Sequence, residues 1–121
     1  MEALAPLHQV IVRLESALGA KYLKRDLLRP YQSLALLHEI LGNFGAAAEC
    51  RDKAYFSVES ERSVAHVHWA IEAMLAHSRA RNNSTAAKWR ENAREMWRVC
   101  VGDMRLFNLL HGPVVKFCFP E

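Results

Sequence analysis

Apolar residues recur at steps of three and four along almost the whole chain, and short polar or glycine-bearing stretches interrupt them. That spacing places side chains on one face of an α-helix, so it restricts the chain to packed helices joined by tight turns. Leu4, Leu7, Ile11, Leu14 and Leu18 form the first such face, closed by Gly19. Asp26 is a start signal, Pro30 suits a first turn, and Tyr31, Leu34, Leu37 and Leu41 continue the stripe to a stop at Gly42-Asn43. A second run begins at Ala46-Ala47-Ala48, with Ala47, Cys50, Ala54 and Tyr55 on one side. The polar stretch from Ser57 to Ser63 breaks it and offers Ser60 and Ser63 as N-caps. Val67, Ile71, Met74 and Leu75 mark a helix from Val64 to Ala80, and Arg81-Asn82-Asn83-Ser84 ends it.

A fourth run, Thr85 to Val101, carries Ala86, Trp89, Ala93, Met96, Trp97 and Cys100 on one face and is capped by Gly102. A short helix from about Met104 to Leu110 follows. Gly112-Pro113 is read as the end of helix, and VVKFCF after it as a β-prone tail. The fold class expected is all-α, with a helical domain over 1–112 and a C-terminal tail over 113–121. Short turns between long helices predict antiparallel neighbours.

Composition narrows the function classes. The chain has 121 residues, 51% hydrophobic and 24% charged, which is the balance of one foldable globular domain. A net charge of +3 is too small a surplus to demand a nucleic-acid partner. The three cysteines, Cys50, Cys100 and Cys118, are odd in number and far apart, the pattern of idle thiols in a reducing compartment. The N-terminal stretch lacks a basic region before its apolar residues, and no apolar run approaches the roughly 20 residues that span a bilayer. The expectation is an intracellular chain, cytoplasmic or nuclear, with no membrane contact. The sequons within Asn82-Asn83-Ser84-Thr85 are read as a helix N-cap cluster.

No cofactor or metal is expected. His66 and His68 lie about 200° apart on a helix, and His66 and His77 about 16 Å apart along it, too far to share an ion. No metalloprotease, phosphate-loop, dinucleotide or nucleophile-elbow motif occurs, and Cys50 and Cys100 fall on packing faces, so the chain is not expected to be an enzyme. Arg90, Arg94 and Arg98, with Lys88, form a basic stripe that raises RNA binding as an alternative. Glu91 and Glu95 interleave it, however, and Trp89 and Trp97 belong to the opposite, apolar face.

Leu28 to Glu61 resembles the 34-residue tetratricopeptide repeat. Tyr31 stands at position four, Leu34 and Ala35 at seven and eight, Gly42, Asn43 and Phe44 at fifteen to seventeen, Ala47 at twenty and Ala54 at twenty-seven. Small residues at eight, twenty and twenty-seven let two helices approach closely, and large ones at four and seven fill the remaining space. His38 and Arg51 depart from the pattern. Ala86 and Ala93 repeat Ala47 and Ala54 at an offset of 39 residues, with the turn glycine replaced by Arg81-Asn82-Asn83. The first segment resembles the second helix of an earlier repeat. The resemblance covers roughly residues 5 to 110 and implies antiparallel hairpins stacked as about two and a half repeats. Such stacks usually hold three or more repeats, which marks the chain as a fragment or a part that docks on something else.

The resemblance also implies a concave face that holds a protein or peptide. Its positions are Arg29, Gln32, Leu36, Glu39 and Ile40, then His68, Ile71, Leu75, Ser78 and Arg79. Apolar Leu36, Ile71 and Leu75 would supply affinity, and Glu39 or Arg79 orientation. The carboxylate-clamping subclass wants Lys and Asn where Gln32, Leu36 and Glu72 stand, which disfavours that activity. Self-association is a further expectation for a chain with uncovered repeats. LALLHEILGNFGAAAECRDKAY and WRENAREMWRVCVGD also resemble two extended groups, the kinesin light chains and the C-terminal helical region of SET and MYND domain lysine methyltransferases. The latter likeness rests on helix length and the Val101-Gly102-Asp103 step. It implies a non-catalytic regulatory lobe, because the family's catalytic core and cysteine clusters are missing.

Overall fold

The computed structural model of the chain describes residues 27–58 and 63–120, together with positions 5, 6, 9, 12 and 13. The stripe from Leu4 to Leu18, its cap at Gly19, and the start signals at Asp26 and Ser60 lie outside the described residues. Among the described residues the chain is all-helical, with no strand. Two compact units divide it, residues 1–59 and 60–121.

The first unit is built on α1 (Leu28–Ile40) and α2 (Phe44–Ser57). Pro30 sits in the first turn of α1, where its missing N–H has no helical partner to lose. The turn to α2 is a Schellman motif. Gly42 takes φ +79°, its N–H donates to the Glu39 carbonyl at 3.1 Å, and the Asn43 N–H donates to the His38 carbonyl at 2.8 Å. Asn43 then serves as N-cap, its carbonyl accepting from the Ala47 N–H at 3.0 Å. The three-residue link makes α2 double back on α1. Leu27, Tyr31, Leu34 and Ala35 pack against Cys50 and Ala54, with Leu28 and Leu37 at the edge. Ala47 and Ala54 are buried, as helices in close approach require. The two departures from the repeat pattern are accommodated: His38 is buried, and Arg51 donates from Nε and Nη2 to one Glu39 carboxylate oxygen at 3.2 and 3.0 Å, tying α2 to α1.

The second unit contains α3 (Val64–Arg79), α4 (Asn83–Cys100) and α5 (Met104–Cys118). Ser63 caps α3, and its N–H is accepted by His66 Nδ1 at 3.1 Å. The α3–α4 turn repeats the first one 39 residues on. Arg81 takes φ +62°, its N–H donates to the Ser78 carbonyl at 3.0 Å, and the Asn82 N–H to the His77 carbonyl at 2.9 Å. Asn82 becomes the N-cap and its carbonyl accepts from the Ala86 N–H at 3.0 Å. Arg81 thus holds the left-handed conformation that Gly42 holds in the first turn. Val67, Ala70, Ala73 and Met74 from α3 meet Ala86, Trp89, Ala93 and Trp97 from α4 in the core.

Two expectations are corrected here. Cys100 is exposed. It lies in the last turn of α4, and because the chain reverses at Arg81 that turn extends past the first residue of α3. Gly112-Pro113 does not end the helix, and VVKFCF is not a strand, since α5 runs through both to Cys118. Gly112 has no Cβ to meet the proline ring, which relieves the restriction proline puts on the residue before it. Beyond the proline the ladder resumes, with the Phe119 N–H donating to the Val115 carbonyl at 2.8 Å. An interior proline costs about 3 kcal/mol. Burial of Phe107 and Cys118 on the inner side of α5 offsets it, since a buried Phe alone contributes about 1.5–3 kcal/mol.

Candidate binding site

The eight residues expected to line a groove fall on two helices, one in each unit. On α1, Arg29 and Leu36 are exposed and Gln32 and Glu39 half-buried, at steps of three, four and three along one face. Leu36 is 52% exposed, an apolar side chain without cover. Glu39 is engaged by Arg51. On α3, His68 and Arg79 are exposed, and Leu75 is half-buried. His68 lies 3.8 Å from Glu72 through Nε2. Ile71 corrects the expectation, because at 5% exposure it sits among the core positions Val67 and Met74 and offers almost no surface.

A cleft between α4 and α5 gathers more chemistry than either face. The α4–α5 corner fixes its shape. Gly102, at φ +89°, ends α4, and Asp103 caps α5 by accepting from the Arg105 and Leu106 N–H groups at 3.0 and 3.3 Å. The Trp97 indole donates to the Asp103 carbonyl at 2.7 Å. The Trp97, Phe107 and His111 rings then form a cluster, with centroids 5.2 to 5.9 Å apart. Burial, and after it the charge of His68, holds His111 below the usual histidine value of 6.5.

Beside this corner lies a space of about 350 Å³ lined by Arg90 and Arg94 from α4 and by Phe107, Asn108, Val115 and Lys116 from α5. Arg90 and Arg94 are one turn apart, so both reach the same side. The Arg90 guanidinium stands 4.5 Å over the Phe119 ring, and its Nε lies 3.5 Å from Glu91. Arg98, next along the stripe, is held by Glu95, which keeps the Glu95 carboxyl below the ordinary carboxylate range. No ion pair joins Arg94 or Lys116 to an acid among the described residues. Sequence reasoning assigned Lys116 and Phe119 to a separate tail and so missed the cleft. The signal it could have used is that the segment from Met104 to Cys118 carries Arg105, His111 and Lys116 but no acid.

The basic stripe offers no stacking platform for bases, because Trp89 and Trp97 are 7% and 3% exposed. Among the described residues no group of three or more His, Cys, Asp and Glu side chains is placed to hold a metal, and no helix is long and apolar enough to cross a membrane. In comparisons with known proteins, the chain matches no family model, no curated protein and no solved structure.

Proposed function

We propose that the chain is a tetratricopeptide-like helical-repeat module that holds a segment of another protein and has no catalytic activity of its own. The observation that carries this reading is the 39-residue register. It relates the two turns, His38 to His77, Asn43 to Asn82, and the pairs Ala47–Ala54 and Ala86–Ala93. Carried once more, it sets α5 against α3 as the first helix of a third pair. Leu106, Leu109, Leu110 and Pro113 then correspond to Val67, Ala70, Ile71 and Met74. The α3 residues are all buried by their own hairpin, whereas the α5 residues are all exposed, Leu109 at 74%. The exposed side of α5 is thus an apolar face of the kind that α2 covers on α1 and α4 covers on α3.

A non-catalytic lobe of a larger enzyme, of the type the SET and MYND resemblance implies, shares the same uncovered face and is the second reading. RNA binding is favoured by no observation beyond the stripe itself. The test compares the chain with Leu109→Glu/Phe117→Glu, after circular dichroism establishes equal helicity. Candidate partners are captured from lysate, and each binding segment is then remade as a purified peptide for calorimetry. A helical segment that binds the wild-type chain and loses about ten-fold or more in the variant supports the reading, a loss of about 1.4 kcal/mol. Segments that bind both forms equally overturn it. If the only partner recovered is a catalytic subunit, the lobe reading replaces it.

A further inference from the structure

We infer that the cleft between α4 and α5 is a recognition site for an acidic peptide segment, with a carboxylate on Arg90, Arg94 and Lys116 and a neighbouring apolar side chain against Val115. The inference rests on the reading above and names the chemistry of the partner.

Charge complementarity carries it. Three cations line one space, and none of the residues lining it is acidic. Of the two nearest acids on α4, Glu95 is held by Arg98 outside the cleft, while Glu91 lies 3.5 Å from the Arg90 Nε and offsets part of its charge, which leaves Arg94 and Lys116 as the cations no acid pairs among the described residues. The opposing wall, α5, has no acid along its whole length. Gathering like charges raises the local potential, and the same field that opposes their approach draws in an anion. Arg90 is oriented in advance, since the Phe119 ring under its guanidinium restricts the side chain before any ligand arrives.

Size and polarity select a peptide side chain over other anions. A space of about 350 Å³ lies at the small end of ligand pockets and admits one or two side chains, not a nucleobase stack. The apolar floor would be wasted on inorganic phosphate. Lys116 and Arg105 stand on the margin between the cleft and the exposed stripe of Leu109, Pro113 and Phe117. A segment lying on that stripe therefore brings its flank to the cations.

The experiment measures fluorescence anisotropy of the full chain with a fluorescein-labelled peptide of alternating glutamate and leucine, at low and at physiological salt. Controls replace each glutamate by glutamine, replace each leucine by glycine, or substitute a labelled oligouridylate. The acidic peptide is expected to bind at least about ten-fold tighter than every control, and to weaken with salt. Arg94→Glu/Lys116→Glu is expected to lose it by about ten-fold or more and to gain a lysine–leucine peptide, while the milder Arg94→Gln/Lys116→Gln shows the loss without the gain. Circular dichroism on both variants checks the fold, and the neutral pair keeps the test valid where the charge reversal unfolds. Equal binding of the glutamine peptide, tighter binding of the oligouridylate, or full binding by the folded neutral variant each overturns the inference. If the acidic peptide fails on the wild-type chain while a captured segment still depends on Leu109 and Phe117, the inference falls and the proposed function stands. If neither binds, both fall.

Discussion

Gly42 and Arg81 hold the same backbone conformation in equivalent turns, at φ +79° and +62°. For glycine that conformation is nearly free, while an L side chain loses about 1 kcal/mol in it. A Cβ built on Gly42 meets nothing within 4 Å, so any penalty there is conformational and not steric. Gly42→Ala is therefore expected to destabilise the first unit by about 1 kcal/mol, and Arg81→Gly to stabilise the second by up to about the same amount, read from urea midpoints. Equal shifts of the same sign would show that the two turns are not equivalent. The cysteines divide on similar local grounds. Cys50 is buried, and burial pushes its thiol up to about 11, so almost none of it is thiolate near neutral pH. Cys118 is buried and Cys100 exposed. Native chain treated with maleimide is expected to take one label, at Cys100, and three after denaturation. Labelling of Cys50 without denaturant would contradict the packing of α1 on α2.

At the scale of the element, the helices that read clearly are those whose period, caps and neighbours agree. Val64 to Arg79 and Phe44 to Ser57 came within a turn of their expected bounds because Ser63 and Gly42-Asn43 are strong local signals. The last helix did not, because Gly112-Pro113 and VVKFCF are local signals for a stop and a strand, and they are outweighed by contacts distant in sequence. Phe107, Cys118 and the Arg90–Phe119 stacking hold α5 helical. The cleft was hidden for the same reason, since one of its three cations, Lys116, lies across that boundary together with Phe119. The expected groove fared differently. Its residues are regularly spaced on α1 and α3, but periodicity alone does not separate Ile71, which is core, from Leu36, which is surface. The alanine seams carry a prediction at this scale. Ala93 has no exposure, and Ala93→Leu inserts volume where α4 meets α3, at an expected loss of about 1–3 kcal/mol measured by urea unfolding. The same change at exposed Ser84 is expected to cost less than about 0.5 kcal/mol. The α4–α5 corner carries another. His111 binds its proton less readily in the folded chain than in the unfolded one. Its stabilising share is therefore complete above about pH 6.5 and is lost as pH falls through that value toward its lowered native one. The melting temperature is expected to drop between about pH 7.5 and 5, and His111→Phe to reduce that drop. An unchanged drop in the variant would assign the acid sensitivity to other groups.

For the molecule as a whole, α5 joins two roles that ordinarily belong to different helices. Its inner side, with Phe107 and Cys118, closes the second unit. Its outer side exposes Leu106, Leu109, Leu110 and Phe117, the last at 72%. A helix that is apolar on both sides belongs in an interior, so the outer side sets the solution behaviour of the chain when no partner is bound. Those outer side chains bury little within the chain, hence replacing them removes little folding energy. Leu109→Glu/Phe117→Glu is expected to leave the unfolding free energy from urea titration within about 0.5 kcal/mol of the original. Sedimentation velocity is expected to show concentration-dependent association for the original chain and a monomer for the variant, because two unmatched apolar faces can bury each other where two glutamate-bearing faces repel. A variant that loses stability by several kcal/mol would place Leu109 and Phe117 in the internal packing instead. An original chain that stays monomeric at high concentration would mean the outer face is too small or too divided by Arg105 and Lys116 to pair with itself, and would leave an acidic partner as the better match for it.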